Sequence, residues 1–479
     1  MFSPPRFNRS FTRRQILARS ANGFGALALS ALLAERDYGA AASDLASPLA
    51  ARSGHYPARA TNVIFLYMDG GPSQMDTFDP KPRLNRENGQ PIHMPVPASQ
   101  FTAAGSGGRV MGSPFRFNRC GQSGIDVSEL FPHVAACADD LCVVRSMHSD
   151  FSEHGNANLF LHTGSARQGR PSMGAWVTYG LGSQSKDLPG FVVLKGGNIP
   201  TGGPANFHSG FLPAAYQASI FRDTTAPIAN LQPTESRDEL QRGKLDLLRR
   251  LDHQVVGRLG PDDVIESAIA NCELACRMQV SVPELLDLQG ESPATRRLYG
   301  IDNETTRAFA GQCLLARRLV ERGVRFVEVT PPLIPGVSRW DAHDKLQEEH
   351  TRMSRAVDQP IAALLRDLKA RGLLEHTLVL WGGEFGRTPI SQGSTTGRDH
   401  NPNGFTMWLA GGGVKGGHVH GATDEYGYFA VDDKVHMHDL HATLLHLLGL
   451  DHKRLTYRFG GRDMRLTDVQ GEVVHGLIA

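Results

Sequence analysis

Long hydrophobic runs are scarce in this sequence. Beyond the first 42 residues no stretch is apolar for long enough to cross a bilayer, so the remainder has no membrane span to place. An excess of charge is missing too: Lys+Arg 50 against Asp+Glu 49 leaves net +1 over 479 residues, with no basic block. Nucleic acid is therefore not an expected partner. Cysteine is sparse, with Cys120, Cys137, Cys142, Cys272, Cys276 and Cys313 at spacings that announce neither a disulfide framework nor a metal site. Most of them read as small buried hydrophobes. Internal repeats are absent, as are low-complexity tracts beyond the amino-terminal leader. What is present is 40% apolar and 21% charged residues, ample for a core, which excludes a disordered tail and a disulfide-stapled miniprotein. Twenty histidines are the first sign of metal or acid–base chemistry.

The amino terminus reads as an address. Arg6, Arg9, Arg13, Arg14 and Arg19 crowd its start, and Ala21 to Ala34 is almost wholly apolar. Small residues follow at Gly39 to Ala42. That is the order of a secretory signal, too short in its apolar part for a membrane span. The run Thr12-Arg13-Arg14-Gln15-Ile16-Leu17 resembles the twin-arginine consensus, which implies export of a folded protein. Residues 1–42 are expected to be removed, leaving net −3 in the periplasm or another extracytoplasmic space. An uncleaved basic amphipathic anchor is the alternative.

A linker of small residues, 43–60, precedes a main domain, 61–479. Asn62 to Met68 is a nearly continuous apolar run stopped by Asp69-Gly70-Gly71, the pattern of a buried parallel strand. Leu141 to Arg145, Phe191 to Leu194, Val324 to Thr330, Thr377 to Trp381 and Thr406 to Ala410 read as further strands. Between them, Thr305 to Arg322 and Leu346 to Arg371 have helical spacing, and Asp439 to Gly449 closes the chain as a helix. The segment near 200–300 is charged and helical without a strand pattern, and reads as an insertion. His418 and His420 flank glycines in what reads as a hairpin. Alternating strands and helices predict a three-layer α/β/α sandwich with a mainly parallel sheet.

Four polar clusters fall at strand ends or helix starts: Asp69 to Asp79, His154 to Asn158, Asp341 to His350, and Glu384 to His400. In α/β sheets the loops past the carboxyl ends of the strands bind ligands. Carboxylates and imidazoles gathered there suit a divalent cation, Zn²⁺, Mn²⁺, Ca²⁺ or Mg²⁺. Each cluster alone has a plainer reading, as turn formers or local hydrogen bonds.

These residues also carry a resemblance. Asn62 to Asp69 is similar to the opening of the alkaline phosphatase/sulfatase superfamily, an apolar strand ending in a metal-binding Asp. His154 to Gly164 has the spacing of the sulfatase nucleophile segment, Asp358 to Gly386 resembles the following helix, strand and turn, and Met437 to Gly449 resembles the last helix. Closer still is the DUF1501 family within that superfamily. Its Gly-Gly-Pro-Ser-Gln, Glu-Phe-Gly-Arg-Thr-Pro and Gly-Arg-Asp-His-Asn-Pro motifs stand at Gly70 to Gln74, Glu384 to Pro389 and Gly397 to Pro402. The resemblance covers about residue 60 to 479 and implies an alkaline phosphatase-like sandwich.

The departures are as informative. Where sulfatases carry the Cys or Ser that becomes formylglycine, this chain has His154, which rules out the usual sulfatase mechanism. The partner of Glu384 in the family's ligand pair is Phe385, which binds no cation. The reading that survives is a single-metal site. Its ligands would be Asp69, His343, Glu384 and His400, with His154 as nucleophile, acid–base group or further ligand. Arg387 would meet an anionic oxygen. His154 at a helix start, where the dipole disfavours imidazolium, is expected neutral. Ser73 is an alternative hydroxyl nucleophile. The implied function is metal-dependent hydrolysis of phosphate or sulfate esters, on an anionic small molecule or a polysaccharide. The alternative is a degenerate member that binds an anionic glycan or a partner protein without turnover.

Overall fold

In the computed structural model the apolar runs become strands of one sheet. The structure describes residues 48–96, 108–222, 228, 238–259, 263–392 and 395–479. The expected signal segment, 1–42, lies outside the described residues. Among them the sheet has nine strands, numbered in chain order: β1 Asn62–Tyr67, β2 Leu141–His148, β3 Phe191–Lys195, β4 Ser219–Arg222, β5 Phe326–Val329, β6 Thr377–Gly382, β7 Phe405–Ala410, β8 His418–His420 and β9 Val435–His436. Their order is β8-β2-β7-β6-β1-β5-β3-β4, with β9 also pairing β2. Only β7 runs against the others. This is the mainly parallel α/β sheet that the alternation predicts.

The principal helices are α1 His154–Thr163, α2 Met173–Leu181, α3 Asp238–Leu259, α4 Asp263–Leu286, α5 Arg307–Glu321, α6 Leu346–Ala370 and α7 Met437–Leu447. Every residue of β1 and β6 is buried, so both faces of the sheet are covered, which is why these strands read as unbroken apolar runs. Phe65 and Tyr67 share one face by their spacing, and both meet His162 of α1, with ring centroids 6.1 and 4.8 Å apart. On α6 the expected stripe of Ala356, Ile361, Leu364, Leu365 and Leu368 is buried.

Three expectations need correction. The later part of the linker is not free: Leu49 is buried, its carbonyl accepts from Ser183 N–H, and Arg52 and His55 donate main-chain N–H to Leu181 and Gly449. The segment near 200–300 is helical but also supplies β4, which pairs in parallel with β3. Only Phe221 of its four residues is fully buried, so no apolar pattern marks it. His418–His420 is no hairpin; it lies parallel to β2.

A two-stranded ribbon positions the site. After β6 the chain passes through Gly383-Glu384-Phe385 and forms Gly386–Ser391, which pairs antiparallel with Arg398–Asn401. Arg398 pins this ribbon to the loop after β1, through an ion pair with Asp76 at 2.8 Å in which neither side chain is exposed. Burial pushes the Asp76 carboxyl up, but Arg398 and the Ser73 and Ser113 hydroxyls outweigh it and hold the group below its ordinary value. Breaking a buried pair from one side strands a charge, so Arg398→Met is expected to cost about 3–5 kcal/mol in a urea titration. In the native protein the stability contributed by Asp76 should be complete above about pH 4 and fall away on further acidification.

Candidate metal centre

Four connections meet at the carboxyl edge of the sheet, and their closeness requires glycine. Gly70 has φ +105°, and a Cβ there would sit 2.7 Å from the main-chain nitrogen of Asp341. The loop after β1 and the loop after β5 therefore touch backbone to backbone. Arg387, fully buried, ties them to the ribbon. Its Nε donates to the Gly71 carbonyl at 3.0 Å and its Nη1 to the Arg398 carbonyl at 3.1 Å. Its Nη2 donates to the carbonyls of Gly70 and Trp340 and, at 2.6 Å, to Asp341 Oδ1.

Around that oxygen stand three imidazoles. Asp341 Oδ1 lies 3.2 Å from His154 Nε2, 2.9 Å from His343 Nε2 and 3.2 Å from His400 Nε2. The two nitrogens of His343 and His400 are 2.9 Å apart. One ligand atom from each of the four residues falls within 4.8 Å of all the others, a group able to hold a metal ion.

The opposite side of each ring is anchored. His154 Nδ1 meets Glu384 Oε1 at 2.6 Å, His343 Nδ1 meets Gln392 Oε1 at 2.6 Å, and His400 Nδ1 meets the Ser152 carbonyl at 2.7 Å. Carboxylate, amide and main-chain oxygens accept, so each Nδ1 carries the proton. In the neutral rings, then, all three Nε2 lone pairs point at one another and at a carboxylate. Only protons or a cation make that arrangement stable. Outer hydrogen bonds of this kind accompany metal-binding histidines. His154 Nε2 is buried and, at its angle to Asp341, has no hydrogen-bond partner.

The electrostatics follow from the crowding. Burial opposes the charge on Asp341, yet the three adjacent histidines and the charge of Arg387 hold its carboxyl far below the ordinary range. Burial likewise disfavours a charged His154, but Asp341 and Glu384 flank both of its nitrogens and raise it to about 10. Two carboxylates thus favour a charged ring where the helix dipole alone favours a neutral one. Glu153, rather than His154, caps α1, accepting from the N–H groups of Gly155 and Asn156 and screening the positive helix end. Burial lowers His400, assisted by Arg387.

The structure assigns several of the expected residues other places. His343 and His400 stand in the group, and His154 joins them with both nitrogens turned to carboxylates. Glu384 stands behind His154, fully buried, where its carboxylate also accepts from Gly70 N–H and Tyr67 O–H. Asp69 lies outside the group and pairs with Arg339. Burial, only partly offset by that guanidinium, pushes its carboxyl up to about 7. Arg387 faces main-chain carbonyls and Asp341 instead of solvent. Ser73 is fully buried, with its hydroxyl donating to Asp76 at 2.5 Å. Asp341 is the member of the group absent from the ligand set expected from sequence; its signal was the Asp-Ala-His spacing to His343. Tyr67 and Gln392 carried no signal.

The molecule is thus an α/β protein with a three-histidine, one-aspartate candidate metal centre at the carboxyl edge of a mainly parallel sheet. The chain belongs to the DUF1501 family, described as a protein of unknown function, whose match spans residues 60–478. No curated protein matches it in sequence. Among solved structures it is similar to the lipoteichoic acid synthase LtaP from Listeria monocytogenes, at 10% identity over 84% of this chain and 76% of that one, TM-score 0.36. A protein in the alkaline phosphatase superfamily from Vibrio parahaemolyticus is 12% identical over 87% and 74%, TM-score 0.34. The PsFucS1 sulfatase from Pseudoalteromonas sp. is 13% identical over 82% and 68%, TM-score 0.33.

Two measurements probe the centre. Glu384→Gln, which weakens the hold on His154 while leaving the four candidate ligands themselves unchanged, is expected to lower divalent-metal affinity about 10–100-fold by competition with a chromogenic chelator. With His154 raised to about 10, the metal-free centre holds a proton at neutral pH that a cation must displace. Metal affinity should therefore rise with pH, and calorimetry in buffers of different ionisation enthalpy should detect about one proton released per ion. Affinity independent of pH between 6 and 8 would refute that protonation.

Proposed function

We propose that the protein is an exported, metal-dependent hydrolase of phosphate or sulfate esters, and that the centre takes a zinc-type cation. The observation that carries this reading is the set of three anchored imidazoles with one carboxylate. Four such donors suit Zn²⁺ or a similar first-row ion better than Ca²⁺ or Mg²⁺, which prefer oxygen throughout. Side-chain exposures of 35% at His343 and 29% at Asp341 leave that side of the centre open to a ligand. When bound, the cation supplies a Lewis acid toward an anionic ester oxygen.

The residues of the chain supply position. Glu384, Gln392 and the Ser152 carbonyl fix the three ring planes, so little reorganisation accompanies ligand binding. Arg387 holds Asp341 from behind and sets the depth of the carboxylate. His154 has each nitrogen beside a carboxylate and Ser73 is sealed, so water is the attacking group in this reading. Export rests on Arg13-Arg14 and the apolar run that follows.

The burial of Arg387 favours a second reading, because a guanidinium committed to the fold leaves the transferring group without the cation expected for it. In that case the centre binds an anionic glycan or a partner protein without turnover. Metal analysis of the purified protein, followed by aryl phosphates and aryl sulfates with and without chelator, separates the two. Hydrolysis that disappears on chelation, returns with Zn²⁺ or Mn²⁺ and is lost in His400→Ala is the expected outcome. Bound metal with no turnover would leave the binding reading. For export, changing Arg13 and Arg14 to Lys should leave a reporter fusion in the cytoplasm of a host with the twin-arginine pathway; unchanged export would reject that route.

A further inference from the structure

A cleft of about 900 Å³ lies against the back of the loop that carries His343. Its wall toward the metal centre is Lys345 and Thr396, and these belong to the same loop pair as the ligands. Thr396 donates through its hydroxyl to Asp344, Lys345 donates its main-chain N–H to the Thr396 hydroxyl, and the Thr395 hydroxyl donates to the His343 carbonyl. The cleft and the centre are thus two sides of one wall.

The lining is cationic. Lys345, Arg352 and Arg355 face it with one acid, Glu348, which lies 3.9 Å from Arg352. Amides complete it. Asn85 and Asn88 accept the main-chain N–H groups of Ser113 and Gly112 at 2.8 and 2.9 Å, which fixes each carboxamide and turns its NH₂ end away from that bond. Among the described residues no aromatic side chain lines the cleft, and Met111 and Pro114 supply its larger apolar surface. Those residues offer no stacking platform for nucleotide bases.

Stability alone does not explain Lys345. It occupies the N-cap position of α6 with φ +50°, makes no side-chain cap hydrogen bond, and sets a cation beside the positive end of a 25-residue helix. Ser, Asp or Asn would serve that position better. A left-handed backbone is also unfavourable for a lysine. Three local penalties at one residue point to a use for its ammonium group.

We propose that this cleft binds an acidic carbohydrate chain, one bearing sulfate or phosphate groups, with Lys345 and Arg355 pairing its anionic groups and the two asparagines donating to its hydroxyls. This deepens the ester-hydrolase reading by giving its substrate an extended polyanionic chain, and rests on that reading for turnover alone.

The test uses the purified full chain, loaded with metal, and titrates it calorimetrically with a heparin-derived octasaccharide. Maltooctaose serves as the uncharged control and oligothymidylate as the nucleic-acid control. The variant pair is Lys345→Asn with Arg355→Gln. Asparagine suits both a left-handed backbone and a helix cap, so the melting temperature should hold or rise, and metal content should not change. Removing two ionic contacts should weaken octasaccharide binding about tenfold and flatten its salt dependence. Unchanged affinity in the double variant would overturn the proposal, as would oligothymidylate binding as tightly as the octasaccharide. Octasaccharide binding without hydrolysis of any ester would uphold the cleft and remove the hydrolase reading. Chelator-sensitive hydrolysis of aryl esters without glycan binding would do the reverse.

Discussion

The carboxyl edge of this sheet depends on one buried guanidinium. Arg387 is wholly enclosed, and its donors are shared among carbonyls of the loop after β1, the loop after β5 and the ribbon, with Asp341 as its counter-ion. A buried charge is costly unless it is paired and hydrogen-bonded throughout, so these loops must hold one geometry to satisfy it. Asp341 Oδ1 is the point where that constraint becomes chemistry. The same oxygen that meets Arg387 at 2.6 Å is the one the three histidines surround.

Beneath the centre, α1 carries a second set of polar contacts into the core. His154, Asn158 and His162 are spaced i, i+4 and i+8, so they lie on one helical face. His154 meets Glu384, Asn158 accepts from the Tyr67 hydroxyl, and His162 Nε2 meets Glu328 of β5 at 2.9 Å with both side chains 1% exposed. The Tyr67 hydroxyl also lies 3.1 Å from Glu384 Oε2 and shares its single hydrogen between the two acceptors, which links the first two contacts. An apolar face would pack as well but would leave the rotation of α1 less defined. Matched polar groups inside a core permit few alternatives, because each slipped register leaves one unpaired. The His154 ring is therefore held by its helix as well as by its own hydrogen bonds.

Rigidity at the centre contrasts with openness beside it. The candidate ligands are braced by buried Glu384 and Arg387 and by half-buried Gln392 and Ser152, while the cleft beyond Lys345 and Thr396 is lined by long, more exposed side chains. A candidate cation site next to a cationic cleft is the arrangement on which the proposed substrate chain rests.

Much of the fold is legible in the amino-acid order, for a local reason. A strand buried on both faces must be apolar at every position, so Asn62–Tyr67 and Thr377–Gly382 stand out without any knowledge of their neighbours. Helix α6 stands out by its periodic apolar stripe. Strand β4 does not, because an edge strand of four residues needs little burial. At the site, residue chemistry, strand-end position and the family resemblance pointed to His343, His400 and His154, which the structure brings into one group. They were not enough to rank carboxylates. Asp69, Asp341 and Glu384 all follow strands and look equivalent along the chain. Only the tertiary structure decides which one faces three imidazoles, which one braces a ring from behind and which one pairs with Arg339, because that depends on how closely two backbones approach at Gly70. The fate of Arg387 was hidden for the same reason: whether a guanidinium meets solvent or four carbonyls depends on loops that the sequence keeps up to 317 residues apart.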